Sequence, residues 1–159
     1  MREADYSFSP LTRRDAELIA SWRYPAPYHI YDLDKSAISS LTHPDCHYYA
    51  IRCGDEMIGF RCYGEDARVV GGDYSVPALD MGGGLRPDLT GRGLGSSVLT
   101  AAIQFAKQRF QSDRFRVTVA SFNERALRTC LKVGFSRACE FDRPTDRRRF
   151  SVLMKEATE

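Results

Sequence analysis

The sequence contains no apolar run approaching the roughly 20 residues that a membrane-spanning helix needs, and its start, MREADYSFSP, lacks the basic-then-apolar layout of a signal peptide. A cytoplasmic protein is therefore expected, with no membrane partner. The five cysteines, Cys46, Cys53, Cys62, Cys130 and Cys139, include no CxxC pair, which argues against a disulfide framework and a zinc site alike. His43 and His47 have no partner spacing suited to a metal, so no metal is expected. Charge of one sign is also missing: 23 basic against 21 acidic residues leave a formal +2, and no global field advertises nucleic acid. The one basic run, Arg147-Arg148-Arg149, reads as a solvated strand or turn. No repeat or low-complexity segment interrupts the chain.

What is present is the size and balance of one globular domain spanning 1–159, with 43% hydrophobic and 28% charged residues. Thr12 with Asp15 looks like a helix cap, and Ala16, Leu18, Ile19 and Trp22 supply an apolar face to about residue 23, where Tyr24-Pro25-Ala26-Pro27 stops it. A second short helix is expected over 31–40. CHYYAIRC, Gly54-Asp55 and EMIGFRCYG read as a hairpin, and SVPALDMGGGL (75–85) as a strand kinked by its glycines. Leu94, Val98, Ala102, Ala106 and Phe110 recur at helical spacing and predict a helix over 93–110. A strand over 115–121, a helix over 123–133 closed by Gly134, and two final strands, SRACEFD and RRRFSVLMK, complete an α/β pattern.

The stretch LRPDLTGRGLG (85–95) sets Gly91, Gly93 and Gly95 at alternate positions where a helix is about to begin. The first N–H groups of a helix have no internal partner and its dipole is positive there, so a glycine-bordered start suits a phosphate. Tight strand-to-helix packing is the competing reading. A Walker loop is excluded because no Gly-Lys-Ser or Gly-Lys-Thr follows, and a Rossmann fingerprint fits poorly because Ser96 stands at its third glycine position.

A second motif lies about thirty residues on: SFNERALRTCLKVGF (121–135), an asparagine at a strand end followed by a helix closing in Gly-Phe. RPDLTGRGLG and NERALRTCLKVGF together resemble the two central motifs of the GNAT superfamily of N-acetyltransferases, strongly from Leu79 to Phe135. The resemblance implies a mixed, mostly antiparallel sheet with a splayed central strand pair and flanking helices, and acetyl-CoA as co-substrate. It places the pantetheine arm along the backbone of Gly84, Leu85 and Arg86. The pyrophosphate is expected at Thr90, Gly91, Arg92, Gly93, Leu94, Gly95 and Ser96, with Asn123 and Arg125 completing the cofactor-binding set. Thr90 stands where the family usually has glutamine or arginine. Asn123 also reads as a helix cap.

Acetyl transfer needs a neutral amine, a polarised thioester carbonyl and a thiolate able to leave. Asp80, on the strand entering the glycine loop, is the candidate base, with a structural hydrogen-bond acceptor as the alternative. A backbone N–H near Leu85 is expected to polarise the carbonyl. Cys130 occupies the position of the family's usual tyrosine acid, and reads either as the acid or as a small apolar packing residue. Trp22, Tyr24, Tyr28, His29 and Tyr31 lie in the region that walls the family's acceptor site, and Tyr48, Tyr49 and Tyr63 add aromatic area. The expected activity is direct transfer of an acetyl group to a primary amine of a small molecule or a protein N-terminus. The alternative is an acyl-CoA-binding module with weak or lost catalysis, and a homodimer is left open.

Overall fold

Thr12 and Asp15 exchange reciprocal hydrogen bonds: the Asp15 N–H donates to the Thr12 hydroxyl oxygen (3.1 Å), and the Thr12 N–H donates to the Asp15 carboxylate (3.1 Å). This capping box starts α1 (Arg13–Ser21), the first helix of the computed structural model, which describes residues 5–156. Residues 1–4 and 157–159 of the expected domain lie outside the described residues. Asp34 starts another turn by accepting from the Ser36 N–H (2.8 Å). The single helix expected over 31–40 is thereby broken into 3-10 turns at Tyr28–Tyr31 and Lys35–Ala37, followed by α2 (Ile38–Thr42).

Among the described residues seven strands form one sheet: β1 (Tyr6–Pro10), β2 (Tyr48–Cys53), β3 (Glu56–Tyr63), β4 (Leu79–Leu85), β5 (Arg114–Ala120), β6 (Ser136–Asp142) and β7 (Arg149–Glu156). Their order is β1-β2-β3-β4-β5-β7-β6. All neighbours are antiparallel except β4 and β5. β4 begins later than the expected residue 75 because Asp73 accepts from the Ser75 N–H in a turn of its own. The remaining helices, α3 (Gly95–Phe110) and α4 (Glu124–Val133), lie where the periodicity puts them, and Gly134 caps α4 in the left-handed region at φ +115°. No helix among the described residues is long and apolar enough to cross a membrane.

Period-two alternation divides the side chains between the two faces of the sheet. Tyr49, Tyr63, Met81, Phe115, Val117 and Leu153 bury against Leu99, Ile103, Leu127 and Cys130 of α3 and α4. Ala50 and Met57 meet Ala16, Ile19, Ile38, Leu41 and Trp22 in a second cluster under α1 and α2. The Tyr63 hydroxyl donates to the Ala102 carbonyl (2.8 Å) and ties β3 to α3. The sheet is thus a wall with α3 and α4 on one side and α1 and α2 on the other, and what happens at β4 is accessible to both.

Candidate active site

β4 and β5 pair through two positions, Leu79 with Phe115 and Asp80 with Arg116. Beyond Asp80 they separate while each keeps its other neighbour: β4 stays in register with β3 as far as Gly59–Leu85, and β5 with β7 as far as Ala120–Phe150. The separation opens a wedge bordered by strand backbone, whose N–H and C=O groups call for hydrogen-bond partners. Residues of an antiparallel strand alternate in the side toward which those groups point. The Arg86 N–H donates to the Ile58 carbonyl of β3 (2.8 Å), so the N–H and C=O of Leu85 face the wedge. The Tyr24 hydroxyl donates to that Leu85 carbonyl at 2.6 Å. The same geometry turns Arg86, expected in the cofactor set, away from the wedge: its N–H belongs to β3 and its guanidinium to Glu56 (2.9 Å) and Asp88 (2.6 Å).

From Leu85 the chain makes a 3-10 turn at Pro87–Leu89, which Thr90 closes by donating its hydroxyl to the Pro87 carbonyl (2.8 Å). Gly91 and Gly93 then take left-handed backbone at φ +73° and +80°. A side chain at Gly93 would meet nothing within 4 Å, so its glycine serves conformation and leaves open space beside the loop. The loop feeds α3 through Leu94, which supplies no side-chain cap. A helix of 16 residues therefore begins with Gly95 and Ser96 carrying N–H groups that no capping side chain satisfies. Gly95 has a packing reason as well: a Cβ there would lie 3.1 Å from the Thr129 hydroxyl of α4. From the same helix Arg125 reaches the loop, its Nη1 3.0 Å from where a Gly91 Cβ would be, with its guanidinium over the Tyr28 ring at 4.0 Å. Arg92 is exposed on the loop. A strand wedge thus leads into a helix start with uncapped backbone donors and an arginine beside it.

The model of the acetyltransferase (GNAT) family matches residues 13–135. The chain belongs to that family. No curated protein matches it by sequence. Among solved structures, a GNAT-family acetyltransferase from Bacillus anthracis superposes with TM-score 0.74 at 10% identity, covering 96% of this chain and 95% of that one. The acetyltransferase AAC(6')-Ib, solved with acetyl-CoA, gives TM-score 0.75 at 14% identity over 96% and 93% of the two chains. A ribosomal-protein-S5-alanine acetyltransferase from Vibrio fischeri gives 0.64 at 14% over 98% and 94%. At these identities the likeness is one of fold.

Within this GNAT-family chain the candidate residues are not all brought together. Asp80 is 2% exposed and its carboxylate is taken up by guanidinium groups: Arg116 Nε reaches Oδ1 (2.6 Å), Arg116 Nη2 reaches Oδ2 (2.9 Å), and Arg68 Nε reaches Oδ2 (2.8 Å). The structural alternative weighed for Asp80 is the one its geometry favours. Cys130 lies in the core between α4 and the sheet, 6% exposed, and burial pushes its thiol up to about 11 although the Arg61 guanidinium pulls the other way. Asn123 caps α4, its Oδ1 accepting from the Ala126 N–H (3.2 Å), while its Nδ2 donates to the Tyr31 hydroxyl (3.1 Å).

The aromatic residues after α1 also divide. Trp22 fills the core under α1, whereas Tyr28 and Tyr31 pack on the Phe122 ring at 5.7 and 6.2 Å and wall the mouth of the wedge. Arg148, read as part of a solvated run, instead lies over Phe122 at 5.5 Å beside a cleft lined by Ser121, Phe122 and Asp146. Among the described residues no group of three His, Cys, Asp or Glu could hold a metal ion. Three residues escaped sequence reasoning. Arg116 and Arg68 carry no local mark of their partner, because only strand pairing and the 64–78 loop bring them to Asp80. Arg61 did leave a signal: in FRCY it alternates with buried Tyr63, a charge in a core-facing phase.

Proposed function

We propose that this acetyltransferase moves the acetyl group of acetyl-CoA directly to a primary amine of a small molecule or a protein N-terminus, acting as a single catalytic domain in the cytoplasm. The observation that carries the reading is the continuity of the β4–β5 wedge with the uncapped start of α3. The pantetheine arm would lie along the β4 edge, with the pyrophosphate on the N–H groups around Gly91–Ser96 and beside Arg125. The Leu85 N–H, facing the wedge, is the donor placed to polarise the thioester carbonyl. The amine would arrive from the Tyr24, Tyr28 and Tyr31 side, where aromatic faces exclude water from its carrier.

With Asp80 engaged by two arginines, the amine's proton passes to water on the acceptor side. Cys130 is a poor donor to the departing sulfur: a thiol near 11 would protonate one of ordinary pKa near 8.5 at a cost of about 3 kcal/mol. Acetyl-CoA turnover on a panel of small amines and short peptides, read by thiol release and by the mass of the acetylated amine, tests the reading. Binding of acetyl-CoA with no product from any amine would leave an acyl-CoA-binding module and refute transfer.

A further inference from the structure

Arg61 stands on the α3–α4 face of β3, opposite Tyr49 on one side and Gly83 on the other. Its arm lies against Gly83: a Cβ at that glycine would fall 2.9 Å from the Arg61 Cα and 3.0 Å from its Cδ, and would overlap the Phe60 carbonyl oxygen. Gly83, at φ +146°, therefore leaves room for the Arg61 arm against β4. The guanidinium pulls the Cys130 and Tyr63 pKa values down against the rise that burial gives them. Yet the Arg61 Nε is buried and has no hydrogen-bond partner. Among the described residues no carboxylate pairs with this guanidinium, whereas Arg68 and Arg116, the other arginines beside β4, share Asp80. Arg61 is half-buried, and a buried N–H without a partner is costly; on a cationic head it marks a place suited to an anion.

We propose that Arg61 is a catalytic residue which holds the coenzyme A sulfur as a thiolate when it leaves. The inference rests on the acetyl-transfer reading given above. The amine approaches from the face of Tyr24 and Phe60, toward which Gly84 points. The carbonyl oxygen is served by the Leu85 N–H, and of the two remaining substituents of the tetrahedral carbon, methyl and sulfur, the sulfur is assigned to the opposite face, where Arg61 and Cys130 lie. The amine nitrogen forms the new C–N bond and gives its proton to water. The C–S bond breaks with its electron pair on sulfur, and the thiolate stays paired with the guanidinium until it is released and takes a proton from solvent. Such a site needs no proton donor on α4, which accounts for a buried cysteine at 130. Arginine suits the task because it does not lose its charge at working pH.

The experiment is a pH titration of coenzyme A bound to the intact chain, following thiolate ultraviolet absorbance with the desulfo-coenzyme A complex as baseline. Burial alone would raise the thiol pKa; pairing with Arg61 lowers it. The expected wild-type result is a bound thiol about one unit or more below free coenzyme A, a tenfold larger thiolate fraction at neutral pH. In Arg61→Gln the bound thiol should return to or above the free value, with kcat for acetyl transfer down about a hundredfold and KM for acetyl-CoA nearly unchanged. Arg61→Lys should keep part of the shift. A wild-type bound thiol titrating at or above the free value overturns the proposal by itself, even if Arg61→Gln fails to fold. So does an unchanged shift in a folded Arg61→Gln. Failure of the underlying reading looks different: coenzyme A would not bind by calorimetry, or no amine would be acetylated.

Discussion

Asp80 and Arg116 are partners twice over, facing one another in the second of the two backbone pairs that join β4 to β5 and meeting as side chains at 2.6 Å, both 2% exposed. The wedge opens immediately beyond them. The ion pair therefore sits at the crotch of the split, with Arg68 and the Val76 carbonyl completing the polar partners around it. Asp80→Ala would leave the Arg116 guanidinium buried beside Arg68 with no carboxylate, which costs about 3–5 kcal/mol. Urea unfolding should show that loss, and acetyl transfer per folded molecule should keep its wild-type pH profile. A variant of wild-type stability with turnover abolished would restore Asp80 as the base.

Gly93 separates conformation from packing. Its left-handed φ of +80° is paired with open surroundings, so Gly93→Val meets no neighbour but resists the backbone the loop needs, at roughly 1–3 kcal/mol. The loop should relax and misdirect its N–H groups while the sheet stays folded. Calorimetry is expected to give acetyl-CoA affinity at least about tenfold weaker with a melting temperature near that of the wild type. Unchanged affinity would remove the loop from the pyrophosphate site.

Two buried thiols contribute to a fall in stability at alkaline pH. Burial raises Cys130 from near 9 to about 11 and Cys62 to about 12. Between about 9 and 11 the folded chain keeps protons that the unfolded chain has lost, so unfolding releases them and stability falls as pH rises. Below 9 the two states bind these protons alike and the contribution is whole. Cys130→Ala should flatten the slope of the urea midpoint through that window; an identical slope would mean that the thiol titrates as it does in the unfolded chain.

Most of the fold was legible because the sequence marks it locally. Thr12–Asp15, the Gly54-Asp55 turn, the helical repeat from Leu94 to Phe110 and Gly134 each act within a few residues, and the elements stand where these signals place them. β1 was not expected, since YSFSP is a short edge strand whose pairing with 49–53 lies far along the chain. The glycine loop was legible as the left-handed turn that opens α3 for the same local reason that α3 was. The interior of the wedge was not. Asp80 looks like a free carboxylate until β5 and the 64–78 loop bring Arg116 and Arg68 to it, and Arg61 acquires meaning only when Gly83 is found beside it.

Tyr24 is the residue whose position most directly predicts a binding effect. Its hydroxyl donates at 2.6 Å to the Leu85 carbonyl, which faces the wedge and is the natural acceptor for an amide N–H of the pantetheine arm. Burial, and then Asp32, push the phenol up to about 12, so it keeps its proton and remains a donor throughout the working range. On the proposed function the hydroxyl and the pantetheine arm compete for one carbonyl. Tyr24→Phe removes the competitor while keeping the ring in place. A hydrogen bond of this kind is worth about 0.5–1.5 kcal/mol net, so acetyl-CoA should bind roughly 2- to 12-fold more tightly to the variant by calorimetry. The gain should persist with desulfo-coenzyme A, since the contact lies on the amide portion of the arm and not on sulfur. Weaker binding of both would show that the Tyr24 hydroxyl remains part of the occupied site and shares the Leu85 carbonyl with the arm.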